Sequence, residues 1–255
     1  MSFTKVKTPA ELDAMRESGR MLATVLQKLK GEVVDGITTK ELASSAAREL
    51  KSLGGEAPFL GYPGGPNSFP DVICISVNEQ VVHGIPNERV VKNGDIVSLD
   101  FGVTYRGMVT DSAISVICGK PREQRHVELV RYTEQSMMAG IEALHNGVKT
   151  GDIGAAVESV LAPRRYGIVR DLVGHGVGHE MHEDPNVPNY GRAGTGVPLY
   201  TGMTIAIEPM ATLGSERVYV DRDGWTIVTY DGSWAAHFEH SVAITDDGYE
   251  ILSTL

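Results

Sequence analysis

A seven-residue segment of this 255-residue chain recurs at a fixed distance, and the recurrence narrows the folds open to it. Gly36-Ile37-Thr38-Thr39-Lys40-Glu41-Leu42 aligns with Gly147-Val148-Lys149-Thr150-Gly151-Asp152-Ile153, 111 residues later. Each copy carries a threonine able to cap free N–H groups and an acid suited to the first turn of a helix, followed by periodic apolar positions. Gly54 and Gly167 are the expected stops. Ahead of each copy lies another helical stretch. Thr8-Pro9-Ala10-Glu11 has capping-box spacing, with Met15, Leu22, Val25, Leu26 and Leu29 on one apolar face. Pro121 opens its counterpart, with Val127, Val130, Met137, Met138 and Ile141 along it.

Strand-like sequence follows each helix pair, at 72–118 and at 168–252. The pattern is helix-helix-strands written twice. It predicts one α+β domain over 1–255 whose halves, about 1–120 and 121–255, hold a site between their sheets. Shared helix-start chemistry is the alternative source of the match. The run Gly61-Tyr62-Pro63-Gly64-Gly65-Pro66-Asn67-Ser68-Phe69-Pro70 reads as a turn-rich loop, because structure-forming sequence resumes directly after it.

Composition removes several function classes. With 33 Asp+Glu against 23 Lys+Arg the formal charge is −10, which argues against a protein that neutralises nucleic-acid phosphates. The N-terminus lacks the apolar stretch of a signal peptide, and no segment reaches the roughly 18 apolar residues of a membrane span. These features predict a cytoplasmic protein. Cys74 and Cys118 are too few for a disulfide framework or a thiolate metal cluster and read as reduced thiols.

The acids sit in unexpected places. Asp95-Ile96-Val97-Ser98-Leu99-Asp100-Phe101-Gly102 reads as a buried strand, and Met108-Val109-Thr110-Asp111-Ser112-Ala113-Ile114 as its hairpin partner. A turn near Tyr105-Arg106 opposes Asp100 and Asp111, whose Cβ atoms would then lie about 5 Å apart. Buried carboxylates in an apolar sheet must be paired, protonated or metal-bound, and a shared divalent cation is the economical answer. Hairpin register is weakly fixed by sequence, so a solvent-facing arrangement is the alternative. Glu208 ends the short strand Ile205-Ala206-Ile207, Glu239 lies in His237-Phe238-Glu239-His240-Ser241-Val242, and His175 sits in Gly174-His175-Gly176-Val177-Gly178. The glycines and the absence of HExxH exclude a helical zinc-protease site. Four carboxylates carry −4, which two divalent cations balance, and an oxygen-rich set with one imidazole suits Mn, Fe, Co or Zn. Two close cations favour hydrolysis.

These five residues, in the order and setting Leu99-Asp100-Phe101-Gly102, Thr110-Asp111, Gly174-His175-Gly176, Glu208-Pro209-Met210 and Phe238-Glu239-His240, resemble the metal ligands of type I methionine aminopeptidases. The resemblance covers nearly the whole chain. It implies the pita-bread fold, with two pseudo-symmetric halves and a dinuclear metal site between them. The implied activity is that of a metallo-exopeptidase: removal of the initiator methionine from nascent proteins with a small second residue, by attack of a metal-bridging hydroxide. Asp100, Asp111 and Glu239 would hold one metal, and Asp111, His175, Glu208 and Glu239 the other. His83 matches a histidine that contacts the scissile amide, His182 one that stabilises the oxyanion, and Glu208 a proton shuttle to the leaving nitrogen. Two divalent cations would bring the formal charge from −10 to −6.

The implied methionine pocket is Phe59, Tyr62, Phe69, Cys74, Met181 and Trp225, with His83 nearby. A thioether calls for such an apolar, soft wall. The chain departs from the usual family pattern at Phe59, Phe69 and Met181, in a loop at 63–68 about four residues longer, and at His237, which replaces a usual Gln. Of the remaining histidines, His126 and His145 are expected on solvated helix faces, and His179, His237 and His240 are candidates for contacts behind the ligands. Cys74 is expected as pocket wall, not nucleophile.

Partners expected from the resemblance are the N-termini of nascent chains. Any ribosome contact would be made by the domain surface, with no nucleic-acid cofactor, no membrane and a monomeric state. Ser2 is itself a small second residue, so the chain would be its own substrate. Two rivals are an Xaa-Pro aminopeptidase or prolidase, and a non-catalytic binding protein on the same fold. A first helix beginning by Thr8 leaves little room for the N-terminal domain of the former, and retention of all five ligands argues against the latter. The interval of 33 positions from His175 to Glu208 leaves no room for the helical insertion of type II enzymes.

Overall fold

The structure is a computed structural model that describes residues 6–64 and 66–255. Met1–Lys5, and with them Ser2, lie outside the described residues, as does Gly65. Two helices lead, α1 (Pro9–Glu32) and α2 (Thr39–Leu53). Strands β1 (Cys74–Val77), β2 (Gln80–Val82), β3 (Ile96–Tyr105) and β4 (Met108–Ile117) follow. A second helix pair, α3 (Gln124–Glu142) and α4 (Thr150–Leu161), precedes β5 (Gly167–Ile168), β6 (Gly174–Gly176), β7 (Glu183–Val187), β8 (Thr204–Ile207) and β9 (Met210–Thr212). The chain ends with β10 (Val218–Val220), β11 (Ile227–Thr229), β12 (Ala235–His237), β13 (Glu239–Thr245) and β14 (Gly248–Ile251). One sheet runs β1-β3-β4-β13-β8-β6-β7 with β14 on β13, and the sets β10-β11-β2 and β12-β9-β5 form two smaller sheets.

The helix starts follow from their sequences. Thr8 accepts from the Glu11 N–H at 3.3 Å, and Glu11 returns a carboxylate oxygen to the Thr8 N–H at 2.7 Å. Thr38 and Glu41 do the same at 3.2 and 2.8 Å. At the second copy the cap differs from expectation. Lys149 occupies the cap position, its N–H bonds to the Asp152 carboxylate at 2.9 Å, and Thr150 instead accepts from the Val197 N–H at 3.2 Å. Thr39 makes the equivalent bond to the Asn87 N–H at 2.9 Å, so the repeated threonine ties each helix start to the strand-bound segment that follows.

The repeat extends beyond the seven residues. Gly36 N–H donates to Val91 O at 2.9 Å and Val91 N–H to Ile37 O at 2.8 Å; Gly147 N–H donates to Leu199 O at 2.8 Å and Leu199 N–H to Val148 O at 2.7 Å. Nine residues beyond Val91 is Asp100, and nine beyond Leu199 is Glu208. The two halves thus carry an acid at the same structural position.

Three further expectations are corrected. Gly54 does end α2 in the left-handed region, but α4 stops at Leu161, a single 3-10 turn ends on left-handed Arg165, and Gly167 begins β5. Pro121 lies ahead of α3, which starts at Gln124 and buries Leu129, Thr133, Met137 and Ile141, leaving Val127, Val130 and Met138 half-buried. His126 is buried on that same face, stacked on Trp234 at 4.1 Å between ring centroids, because an aromatic neighbour from the far end of the chain covers it. His145 is exposed, in the turn after α3.

Core packing places the site by leaving one sheet face free of helices. Leu99, Phe101 and Val103 of β3 join Leu22, Val25, Leu29, Leu42 and Leu50 of α1 and α2 in one apolar cluster. Ile205, Ile207, Val242 and Ile244 join Leu129, Ile141, Ile153 and Val157 beneath α3 and α4. Strand side chains alternate faces, so Ser98, Asp100 and Gly102 point away from the helices.

Candidate active site

The β3–β4 hairpin turns at Arg106 (φ 50°) and Gly107 (φ 76°), a two-residue turn of the kind favoured between twisted strands. Tyr105 therefore faces Met108, Asp100 faces Ala113, and Asp111 faces Gly102. Asp100 and Asp111 are not directly opposed as expected, because the turn sits one residue later than read. The register moves by two, which preserves the face, and both carboxylates stay on the side away from the helices.

Neighbouring strands bring the rest. Glu239 begins β13 opposite Ala113, Glu208 follows the last residue of β8, and His175 is the middle residue of β6. His175 Nε2 lies 3.4 Å from Glu208 Oε1, and its Nδ1 is 2.9 Å from Gly176 O. Donor atoms of Asp111, His175 and Glu239 all lie within 4.8 Å of one another, and so do those of Glu208, His237 and Glu239. Asp100 lines the same cavity but belongs to neither set, since it stands on β3, opposite Cys74 of β1.

The electrostatics are those of charge crowded into a dry place. Burial pushes the Asp111 carboxyl up to about 7, and burial with the neighbouring Asp111 charge drives Asp100, Glu208 and Glu239 well above the usual carboxylate range. Burial lowers His175 and His237 to about 3 and His83 to about 4. Asp100 Oδ1, Asp111 Oδ1, Glu239 Oε1 and both ring nitrogens of His237 are buried without a hydrogen-bond partner. Native proteins rarely leave such atoms orphaned, and a divalent cation fits this donor set by satisfying oxygens and nitrogen while cancelling their charge.

A cavity of about 150 Å³ opens on the cluster. Phe59, Tyr62, Phe69, Cys74, His83, Met181, His182 and Trp225 line it together with Asp100, Asp111, His175, Glu208 and Glu239. Sequence reasoning missed Val82, Leu172 and Val173, although each adjoins a residue or segment already singled out for glycine or histidine. Phe69 packs edge-on against Phe59 (6.4 Å) and Trp225 (5.3 Å), so the wall is a continuous aromatic corner. The 63–68 loop supports it: Asn67 O accepts from Trp225 Nε1 at 2.9 Å, and a Cβ on Gly64 would meet the indole at 2.6 Å. A space of this size holds about one benzene-sized group, and hence one side chain.

His83 holds a left-handed backbone (φ 58°), and Gly84 beside it approaches the Ile75 carbonyl so closely that a Cβ would sit 2.3 Å from the oxygen. Strain of this kind collects at functional positions. His182 Nδ1 lies 2.6 Å from the Tyr62 hydroxyl. Next to it, Glu183 accepts from Lys7 Nζ at 2.6 Å and from the His179 N–H at 2.6 Å, in a fully buried pairing that fixes the His182 segment. Of the other expected contacts, His179 bonds Glu11 at 2.8 Å and His240 bonds Ser253 at 2.8 Å, both away from the carboxylate cluster, whereas His237 reaches it. The Cys74 thiol is buried and held well above its usual range by burial, the state of an inert wall residue.

Residues 13–246 match the model of metallopeptidase family M24. The chain is 43% identical to methionine aminopeptidase 1 of Bacillus subtilis over 247 residues, covering 97% of this chain and 98% of that protein. It is 43% identical to a methionine aminopeptidase of Clostridium perfringens, with 98% of each chain covered. The crystal structure of a methionine aminopeptidase from Thermotoga maritima superposes with a TM-score of 0.95 at 41% identity, covering 99% of this chain and 100% of that one. A prolidase from Pyrococcus furiosus gives 0.77 at 20% identity over 66% of its own length, a likeness of fold alone.

Proposed function

The chain belongs to metallopeptidase family M24, and we propose that it works as a methionyl aminopeptidase, a hydrolase that removes the initiator methionine from polypeptides whose second residue is small. The observation that carries this reading is the single-side-chain aromatic cavity that opens directly on the acid and histidine cluster. A thioether fits a wall of Phe59, Tyr62, Phe69, Cys74, Met181 and Trp225 by dispersion and soft contacts.

Asp100, Asp111, His175, Glu208 and Glu239 would hold two divalent ions, drawn from Co, Mn, Fe or Zn, with Asp111 and Glu239 shared. When bound, such ions supply Lewis acidity and ionise water near neutral pH. The protein's own groups do the rest. Glu208 takes the proton given up by the attacking water on its carboxylate and returns it to the leaving nitrogen as the peptide C–N bond breaks. Tyr62, whose hydroxyl burial holds in its protonated form, donates to His182 Nδ1. That leaves the imidazole proton on Nε2, available to the developing oxyanion. His83, neutral through burial, contacts the scissile amide.

The chain from 1 to 255 acts as one catalytic domain with halves of about 1–120 and 121–255, as a cytoplasmic monomer on nascent N-termini, and any ribosome contact uses its surface. Among the described residues no helix is long and apolar enough to cross a membrane. Chelation should abolish release of Met from Met-Ala-Ser, and Mn, Fe or Co should restore it. Preferential cleavage of Xaa-Pro peptides, or indifference to chelator, would overturn the assignment.

A further inference from the structure

His237 is the feature of the cluster that the five-ligand reading does not use. Its side chain is 2% exposed, and neither ring nitrogen has a hydrogen-bond partner. Nε2 lies 3.7 Å from Glu208 Oε2 and 3.9 Å from Glu239 Oε2, and the three donor atoms fall within one 4.8 Å set. These separations are too long for hydrogen bonds and suited to ligands of a common ion. At a metal–donor distance of about 2.1 Å, two ligands lie ~3.0 Å apart at right angles and ~4.2 Å apart in trans. The backbone is fixed in support: Ser115 Oγ accepts the His237 N–H and donates to the His237 carbonyl, both at 2.9 Å, and the strand lies in register with Met210 of β9. The ring is therefore presented to the two carboxylates by a clamped strand.

We infer that His237 Nε2 is a sixth protein ligand, binding the same cation as Glu208 and Glu239. With His175 it makes the cluster a two-imidazole centre. Imidazole raises affinity for Zn, Co and Fe more than for Mn or Mg, whose preference is for oxygen. The inference rests on the metallopeptidase reading and adds a metal preference to it.

The test is a crystal structure of the zinc-loaded protein, with the metals located by anomalous scattering, together with competitive Zn/Mn binding to the wild type and H237Q. Nε2 within about 2.3 Å of a zinc is expected. In H237Q the ratio of zinc to manganese affinity should fall at least ~10-fold, with the thermal unfolding of the metal-free variant close to wild type. Zinc bound by the carboxylates with Nε2 beyond 3 Å and an unchanged affinity ratio would overturn the role of His237 while leaving the metallopeptidase reading intact. Absence of any metal peak at the cluster would instead overturn that broader reading. A water found bridging His237 to Glu208, with zinc elsewhere in the cluster, also counts against ligation.

Discussion

Replacing Asp111 by asparagine should flatten the pH dependence of stability in the metal-free protein. The Asp111 carboxyl is raised by burial from 3.8 to about 7 in the folded state. The folded form therefore binds a proton that the unfolded form has released. Stability from this group is complete below pH 3.8, and it is lost as pH rises through 7. At about 1.4 kcal/mol per pH unit the full loss is about 4 kcal/mol, of which about 2 kcal/mol falls between pH 5.5 and 8.5. For a chain of this size that corresponds to roughly 4–8 °C in Tm. Asp100, Glu208 and Glu239 are raised too and act in the same direction, so the wild-type fall should exceed this figure. The assay is thermal unfolding by circular dichroism of chelator-treated wild type and D111N at the two pH values. Acids elsewhere affect both proteins alike, and the difference isolates Asp111 and its coupling to the three other acids. A wild type that loses no more stability than D111N across this range would refute the picture of uncompensated buried carboxylates.

Three other perturbations probe separate parts of the site. Glu208→Gln should lower kcat by ~10²-fold or more, and near-normal turnover would remove the proton-shuttle role. Lys7→Met should cost about 3–5 kcal/mol in denaturant titration, because Glu183 beside His182 is left as an unpaired buried charge. Gly102→Ala should reduce kcat/KM for a Met-Ala-Ser peptide at least ~10-fold, mainly through KM, since the new Cβ would lie 2.8 Å from Met181 Cε and 3.0 Å from the Phe59 ring.

Local rules in the sequence carried the helix starts and the alternation of β3, and with them the face on which Asp100 and Asp111 stand. The register slipped by two because the turn depends on two backbone conformations at Arg106 and Gly107 that a polar tripeptide leaves undecided. His126 was misjudged for a different reason. Its neighbours in sequence are charged, but Trp234, more than a hundred residues away, covers it. His237 was legible only as a candidate for contacts behind the ligands; which acids it meets, Glu208 and Glu239, follows from how β12, β8 and β13 assemble. The pocket residues were recognisable through a family resemblance, whereas Val82, Leu172 and Val173 had no chemistry of their own to mark them.

The two halves meet at β4 and β13, and this seam explains how four acids can share one face without closing the sheet over them. The backbone ladder between these strands holds for only two pairs, Glu239 with Ala113 and His240 with Ser112. Beyond them, and at Ser112 within them, serine hydroxyls serve as main-chain partners. Ser241 Oγ accepts the Asp111 N–H and donates to the Asp111 carbonyl, both at 2.8 Å, and Ser112 Oγ donates to Glu239 O at 2.5 Å. Ser115 serves His237 in the same way and is braced by Ser98 at 2.8 Å. A hydroxyl both donates and accepts, so one side chain satisfies two backbone groups while standing the strands farther apart than a direct ladder would. Each serine bonds the backbone of an acid- or histidine-bearing residue across the seam, leaving that residue's own side chain free to point into the cavity. The seam therefore leaves the carboxylates close enough to raise one another's pKa and rigid enough that relaxation does not relieve them. Such an arrangement is stable only with protons or cations to balance the charge.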